Sequence, residues 1–371
     1  MKNFDLESYL SDLKQICAID SGHLNGPGAE TVADFFETRY QALGLMTQRL
    51  HYKENANAPF LLVSNCEEED FDVLFIAHMD TVFPVGAGQE WPLTEIEPGI
   101  VSGPGCADCK GGCLLLYYTI RAMLEAGELN FRFRIAMNSD EESGSHYSRA
   151  YFEELAPHAK YCFVYEPGRP KDEFVGQRKG GVNYLLRCHG ITAHAGVDPE
   201  KGASAILELA RWVNELYKLV DYEKGVVVNV GKFTGGSETG SVPDFAECKL
   251  NVRTLQEKDL EGLYDLLDRL EKHPFDSRTR MEIIRTSHRP CMEPHEATKQ
   301  LDLAGEDVGQ KPTWLVTGGV SDGNFVSPFG VATLDGCGPC GGKLHTREEY
   351  LKTASVAQRF ALMRALLKRL F

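Results

Sequence analysis

Three observations predict an α/β chain: a mostly parallel, twisted sheet flanked by helices, with an α+β segment of ferredoxin-like type inserted into it. Short β-rich runs alternate with helical stretches as far as Met137. Strands alternating with helices of this length are the mark of a parallel sheet with crossover helices. From Gly180 the pattern changes to longer alternating strands separated by two helices. The candidate metal ligands stop at Glu166 and resume at His345, so the changed segment interrupts one domain instead of following it.

Taken in order, apolar positions recur at helical spacing from about Asp5 to Ala18 and from about Ala29 to Leu43. Phe60 to Val63 and Val73 to Ile76 are short β-rich runs. Gly111 to Ala126 reads as a buried helix. Its apolar run, Cys113 to Ile120, is far short of the roughly 20 residues of a membrane span. Phe131 to Met137 and Cys162 to Tyr165 follow as strand-like runs. In the insert, Val182 to Cys188 alternates as a half-exposed strand and Gly202 to Leu219 is a long helix. Val226 to Val230 and Ala246 to Leu255 are strands, and Asp259 to Leu270 is a helix. These boundaries place one domain in residues 1–178 and 289–371, and the insert in 179–288.

A chain of 371 residues with 43% hydrophobic content can build two cores. Its 39 basic and 54 acidic residues give a net charge of −15, which argues against a nucleic-acid partner. No apolar run suggests a membrane, and the start, Met1 to Glu7, has no signal core. A cytoplasmic protein is the expectation. The 11 cysteines form no regular framework and read as free thiols in or near the core. Cys106 and Cys109 bracket Asp108. Cys337-Gly338-Pro339-Cys340 has the form of a redox pair, but Gly341-Gly342 follows it, so no helix starts there to stabilise a thiolate.

Five clusters carry the chemistry. His78 and Asp80 directly follow the run Val73 to Ile76. Asp108 lies in the Gly-rich stretch Gly103 to Gly112. Glu141 and Glu142 follow Ile135 to Met137, and Glu166 follows Cys162 to Tyr165. His345 lies just after Gly341-Gly342. Open α/β sheets place ligand sites at the carboxyl ends of their strands. Zinc takes imidazole nitrogen and carboxylate oxygen. Two zincs can share one carboxylate. Asp108 suits that bridge, with His78 and Glu166 for one metal and Glu142 and His345 for the other. Glu141 is then left beside a ligand, where a general base belongs. Asp80, two residues from His78 on the same strand face, can orient the imidazole. A lone His-x-Asp or Glu-Glu pair is ordinarily structural. The joint pattern is not, because each cluster supplies what the others lack.

These residues resemble the di-zinc metallopeptidase family of glutamate carboxypeptidases, aminoacylases, acetylornithine deacetylases and succinyl-diaminopimelate desuccinylases. The resemblance spans nearly the whole chain. It is most specific at Ala77 to Pro84, Gly103 to Gly112, Asn138 to Ser145, Thr317 to Asn324 and Leu334 to His345. Glu166-Pro167 and Thr192-Ala193-His194-Ala195-Gly196 make the chain most similar to the folate-cleaving glutamate carboxypeptidase branch. The resemblance implies the same metal roles, with two zincs per chain and cobalt or manganese as substitutes. It implies that the insert is a lid and homodimerisation domain. His194 would then reach the partner's site as an oxyanion donor. Arg253 would bind a substrate carboxylate, helped by backbone donors of the Gly318-Gly319 loop. It also implies a cis peptide at Asp108–Cys109. One departure stands out: Gly240 occupies a place where the family usually has Asn.

The implied activity is hydrolysis of an amide next to a free carboxylate, in a small peptide or N-acyl amino acid, because Glu rather than Asp stands at position 166. An aminopeptidase or dipeptidase of the same family is the alternative. A thiol-disulfide enzyme using Cys337 and Cys340, or a non-catalytic binding protein, is more distant.

Overall fold

The computed structural model describes residues 4–52 and 58–371. Met1 to Asn3, the first part of the stretch read above as having no signal core, therefore lie outside the described residues. Helix α1 (Leu6–Cys17) is capped by the Asp5 carboxylate, which accepts from Ser8 N at 3.0 Å. It buries Tyr9, Leu13, Ile16 and Cys17, one stripe of its surface. Helix α2 (Gly26–Ala42) has Pro27 in its first turn, where no intrahelical donor is lost. Strands β1 (Met46–His51), β2 (Pro59–Ser64) and β3 (Phe71–His78) follow, then helix α3 (Lys110–Glu125) and strands β4 (Phe133–Asn138) and β5 (Ala159–Val164). Next come β6 (Gly180–His189), α4 (Ala205–Tyr217), β7 (Val227–Gly235), β8 (Phe245–Thr254), α5 (Glu261–Lys272) and β9 (Arg280–Arg289). The chain ends with α6 (Glu296–Asp307), β10 (Ala332–Leu334) and α7 (Thr353–Leu370).

Two compact units result. One comprises Met1–Gly176, Pro294–Val316 and Ser321–Phe371, the other Gln177–Glu293 with Thr317–Val320. The first unit holds a six-stranded sheet in the order β1-β2-β4-β3-β5-β10. Strands β4, β3, β5 and β10 run parallel, while β1 and β2 form an antiparallel edge. Val73, Phe75 and Ala77 of β3 enter one core and Leu74 and Ile76 the other. Burial on both faces explains the unbroken apolar run in this strand. The register sets the carboxyl ends level. His78 pairs with Asn138, and Ile76 pairs with Val164. Glu166 therefore leaves its strand at the level of His78.

The second unit is an antiparallel sheet in the order β7-β8-β6-β9, and its βαββαβ succession is the ferredoxin-like arrangement. Strand β6 alternates buried and half-buried residues along its whole length. Val182, Leu186, Leu209, Trp212, Leu250 and Leu267 belong to its core. Strands β1 and β9 were not foreseen from the sequence. Both are edge strands rich in polar residues, and such strands carry little apolar alternation to read. Among the described residues no helix is long and apolar enough to cross a membrane.

Two glycines let α3 begin where it does. A Cβ at Gly112 would stand 1.9 Å from the Tyr165 carbonyl oxygen, and one at Gly111 would stand 2.3 Å from the Cys106 carbonyl oxygen. The residue after Tyr165 is Glu166, so this packing also sets the end of β5. Gly112→Ala should destabilise the protein by about 1–3 kcal/mol, the usual cost of overpacking. A denaturation midpoint equal to that of the parent would refute the close approach.

Candidate metal centre

All five ligand candidates lie in the first unit. His78 is the last residue of β3, and Glu166 lies just past β5. Glu141 and Glu142 sit in a short 3-10 turn after β4. Asp108 precedes α3, and its peptide bond to Cys109 is cis, as expected. His345 follows the Gly341–Gly342 strand and has φ +63, with Lys343 at φ +54. Left-handed backbone at non-glycine residues is uncommon and tends to cluster at functional sites.

The Asp108 carboxylate is the hub. Its Oδ1 lies 3.0 Å from His78 Nε2, which is itself 3.5 Å from Glu166 Oε1. Its Oδ2 lies 3.3 Å from His345 Nε2, which is 3.2 Å from Glu142 Oε2. Each oxygen of one aspartate thus faces its own imidazole–carboxylate pair. Donor atoms of His78, Glu141 and Glu166 also lie within 4.8 Å of one another.

Electrostatics follow from packing acids together. Burial and the Asp108 charge push Glu166 well above the usual carboxylate range. Burial also raises Glu142. Burial would raise Asp108 too, but hydrogen bonds from His345 and His78 outweigh it and hold that carboxyl low. His345 is pushed up to about 10 by Asp108 and Glu142. Imidazole nitrogen and carboxylate oxygen are the donor set that zinc takes, with manganese and cobalt close in preference. The residues present therefore fit a divalent metal.

Asp80 departs from expectation in one respect. It lies beyond the end of β3 and not on a strand face. It still reaches His78, with Oδ1 at 3.2 Å from Nδ1, because the chain turns just after the strand. The same buried carboxylate accepts from Glu141 N at 3.3 Å and Glu142 N at 3.0 Å. One side chain thus orients an imidazole and anchors the acidic turn.

The thiols do not join the donor set. All 11 cysteines are buried and free. The Cys109 thiol donates to the Tyr165 carbonyl at 3.0 Å, and the Cys113 thiol donates to the His78 carbonyl at 3.1 Å. Burial pushes the Cys337 thiol well up and raises Cys340 as well. A redox pair needs an accessible thiolate, so the thiol-disulfide reading does not hold.

Sequence reasoning missed Glu349. It is fully buried, and its Oε1 accepts from Ala107 N at 2.8 Å and Asp108 N at 3.0 Å. Burial pushes it to about 8, with the Asp108 charge adding to the effect. Four residues after His345 in a charged loop, it reads as surface charge, and only the fold reveals its partners. A cavity of about 770 Å³ in the same unit, lined by Phe4, Val308, Phe360 and Ala361 among others, contains none of these donors.

In the second unit, His194 is exposed and its Nδ1 accepts from Gly196 N at 3.1 Å. With Nδ1 accepting, Nε2 is the nitrogen left to carry a ring proton. Val242 N bonds Ala193 O and Ala195 N bonds Gly240 O, so the loops of His194 and Gly240 are paired. A Cβ at Gly240 would meet nothing within 4 Å. Arg253 Nη1 donates to Gly318 O at 2.6 Å. The buried Arg178, also unforeseen, donates to Gly319 O at 3.3 Å. Two arginines thus grip the Gly318-Gly319 segment by its carbonyls.

Glu349→Ala would leave two buried N–H groups without an acceptor, at about 1–3 kcal/mol each. It should lower the melting temperature and loosen the Asp108 segment, so that less zinc is retained after dialysis. Glu349→Gln keeps an acceptor and should retain most of both. Parent-like melting and zinc retention in the alanine variant would show that Glu349 supports nothing.

Residues 74–369 match the sequence model of peptidase family M20/M25/M40. The chain is 25% identical over 366 residues to carboxypeptidase G2 of Pseudomonas sp. (strain RS-16), covering 94% of this chain and 86% of that protein. It is also 25% identical over 319 residues to succinyl-diaminopimelate desuccinylase of Maricaulis maris (strain MCS10), covering 80% and 81%. The fold matches that of aminopeptidase PepT from Bacillus cereus ATCC 10987 with a TM-score of 0.78 at 21% identity, covering 98% of each chain. With a candidate metal-binding cluster at the carboxyl ends of its parallel strands and a family match over most of its length, the chain belongs to peptidase family M20/M25/M40, a family of metal-dependent hydrolases.

Proposed function

We propose that this protein hydrolyses an amide bond beside a free carboxylate, in a small peptide or N-acyl amino acid, with two zinc ions per chain. The observation that carries this reading is the double-facing Asp108 carboxylate, with a separate imidazole and carboxylate on each side. His78, Glu166 and Asp108 would hold one metal, and His345, Glu142 and Asp108 the other. Bound zinc supplies Lewis acidity and brings a water's pKa to about 7.

The chain's own residues do the rest. Asp80 faces Nδ1 of His78 and leaves Nε2 to serve as the metal donor. Glu141, anchored through its backbone to Asp80, takes the proton of the attacking water and returns it to the departing nitrogen. His194 offers an Nε2–H to the oxyanion in the partner subunit of a homodimer. Arg253 pairs with the substrate carboxylate. The relatives described above include a carboxypeptidase and a desuccinylase, which supports a substrate of this kind.

Zinc-reconstituted protein should carry about two zincs per chain. It should hydrolyse members of a panel of N-acyl amino acids, dipeptides and folyl-glutamate, and a chelator should abolish this. Glu141→Gln should keep the metal and lose about 10²–10⁴-fold in kcat, since Gln accepts no proton. Glu142→Gln should lose metal instead. Swapped phenotypes would reverse the two roles, and a stoichiometry of one under excess zinc would remove the bridge.

The partner role of His194 has its own test. His194→Ala and Glu141→Gln should each be nearly inactive, yet subunits exchanged between them should recover part of the activity. In such a dimer one site keeps both native groups. Absence of recovery after verified exchange would confine His194 to its own chain or to no role.

A further inference from the structure

We infer that Asn251, Asn183 and Ser287 form a hydrogen-bonded relay that positions Arg253 for a substrate carboxylate; this rests on the carboxylate-binding role proposed above for Arg253. The second unit's sheet carries an unusual row across all four strands. Asn229, Asn251, Asn183 and Ser287 stand opposite one another in register. Their neighbours along the strands, Val228, Leu250, Val252, Val182 and Tyr184, belong to the core, so the row lies on the other face of the sheet. A bulge interrupts β9 between Arg285 and Ser287, and it sets Ser287 rather than Thr286 opposite Asn183.

Three members of the row are linked in one direction. Asn183 Nδ2 donates to Ser287 Oγ at 2.7 Å. Asn251 Nδ2 donates to Asn183 Oδ1 at 2.7 Å. Arg253, two residues from Asn251 on the same face, donates through Nε to Asn251 Oδ1 at 3.4 Å. Each amide gives with its nitrogen and accepts with its oxygen. A flipped Asn251 would set an NH₂ against the Arg253 N–H, two donors face to face. Arg253 Nε can only donate, so it sets the direction: Asn251 accepts from it and donates to Asn183, and the Ser287 hydroxyl, free to accept, takes the Asn183 Nδ2 bond.

The relay therefore presents an acceptor to Nε, while Gly318 O takes Nη1 at 2.6 Å. Among the described residues the guanidinium has no other hydrogen-bond partner, which leaves Nη2 for an incoming oxygen. A long side chain held at two points has less rotamer freedom to lose on binding than a free one. Asn251 and Asn183 are positioning residues in this scheme, acting on the substrate only through Arg253.

The test uses zinc-reconstituted enzyme, an N-acyl amino acid that it hydrolyses, and the same compound with its carboxylate converted to a carboxamide. The carboxamide is measured by KM or, if it is not cleaved, by its inhibition constant. Asn251→Ala should raise KM for the acid about five- to tenfold, in the range of one ordinary hydrogen bond because Asn251 acts only through Arg253, with kcat nearly unchanged. The constant for the carboxamide should stay put. Asn183→Ala should do the same to a smaller extent, and Asn251→Ala should add nothing in an Arg253→Ala background. If Arg253→Ala changes acid-over-amide preference but neither Asn variant does, the relay is overturned and the carboxylate reading stands. If Arg253→Ala leaves that preference unchanged, both fall together. A lowered melting temperature with both constants moving in parallel would mean that the row only stabilises the sheet, and would also overturn the relay.

Discussion

Everything at the centre depends on keeping many carboxylates together in one buried place. Asp80, Asp108, Glu142, Glu166 and Glu349 crowd the carboxyl ends of three parallel strands, and among the described residues two imidazoles, His78 and His345, face them. An unpaired buried carboxylate costs several kcal/mol. The fold meets that cost in two ways. Asp108 divides its oxygens between His78 and His345. Asp80 and Glu349 take backbone N–H groups of the loops that carry the other acids. Burial favours the protonated form of Glu142 and Glu166, and of Glu349 despite its backbone partners. Glu142 and Glu166, with the shared aspartate, supply the oxygens that a divalent cation would claim.

The backbone serves the same end. Gly111 and Gly112 bring α3 against the carbonyls of Cys106 and Tyr165. The thiols of Cys109 and Cys113 then bond the carbonyls of Tyr165 and His78, from within α3 and the residue preceding it. One helix start thus fixes the ends of both strands that carry the first imidazole and its carboxylate. Cys106 and Cys109, which bracket Asp108, are both part of this backbone arrangement.

The strand–helix alternation and the ligand-bearing clusters were legible because each has a local signature: an apolar period, a strand end, a Gly-rich loop. What escaped notice has no such signature. Strands β1 and β9 are polar edges. Glu349 acts through backbone N–H groups distant in sequence, as does Asp80 in its second role beside the foreseen contact to His78, and such contacts leave no local mark. The left-handed backbone of His345 has no mark either, because the residue there is chosen for its nitrogen and not for its conformation. The Asn183–Asn251–Ser287 row needs the register of three strands and a bulge before its members meet. Arg178 appeared as one more cation and is instead buried against a loop remote in sequence.

The division of the chain has a bearing on biosynthesis. The first unit is assembled from three separate stretches, whereas the second is almost one continuous piece. A ribosome therefore releases a nearly complete second unit while the first still lacks β10, α7 and the second imidazole. Domains tend to fold as units in the order in which they emerge. The nascent chain would by then hold four of the five candidate donors, with His345 and the supporting acid Glu349 yet to come. A metal pair that needs both imidazoles would therefore be held only after the segment carrying His345 has been made, well after the second unit.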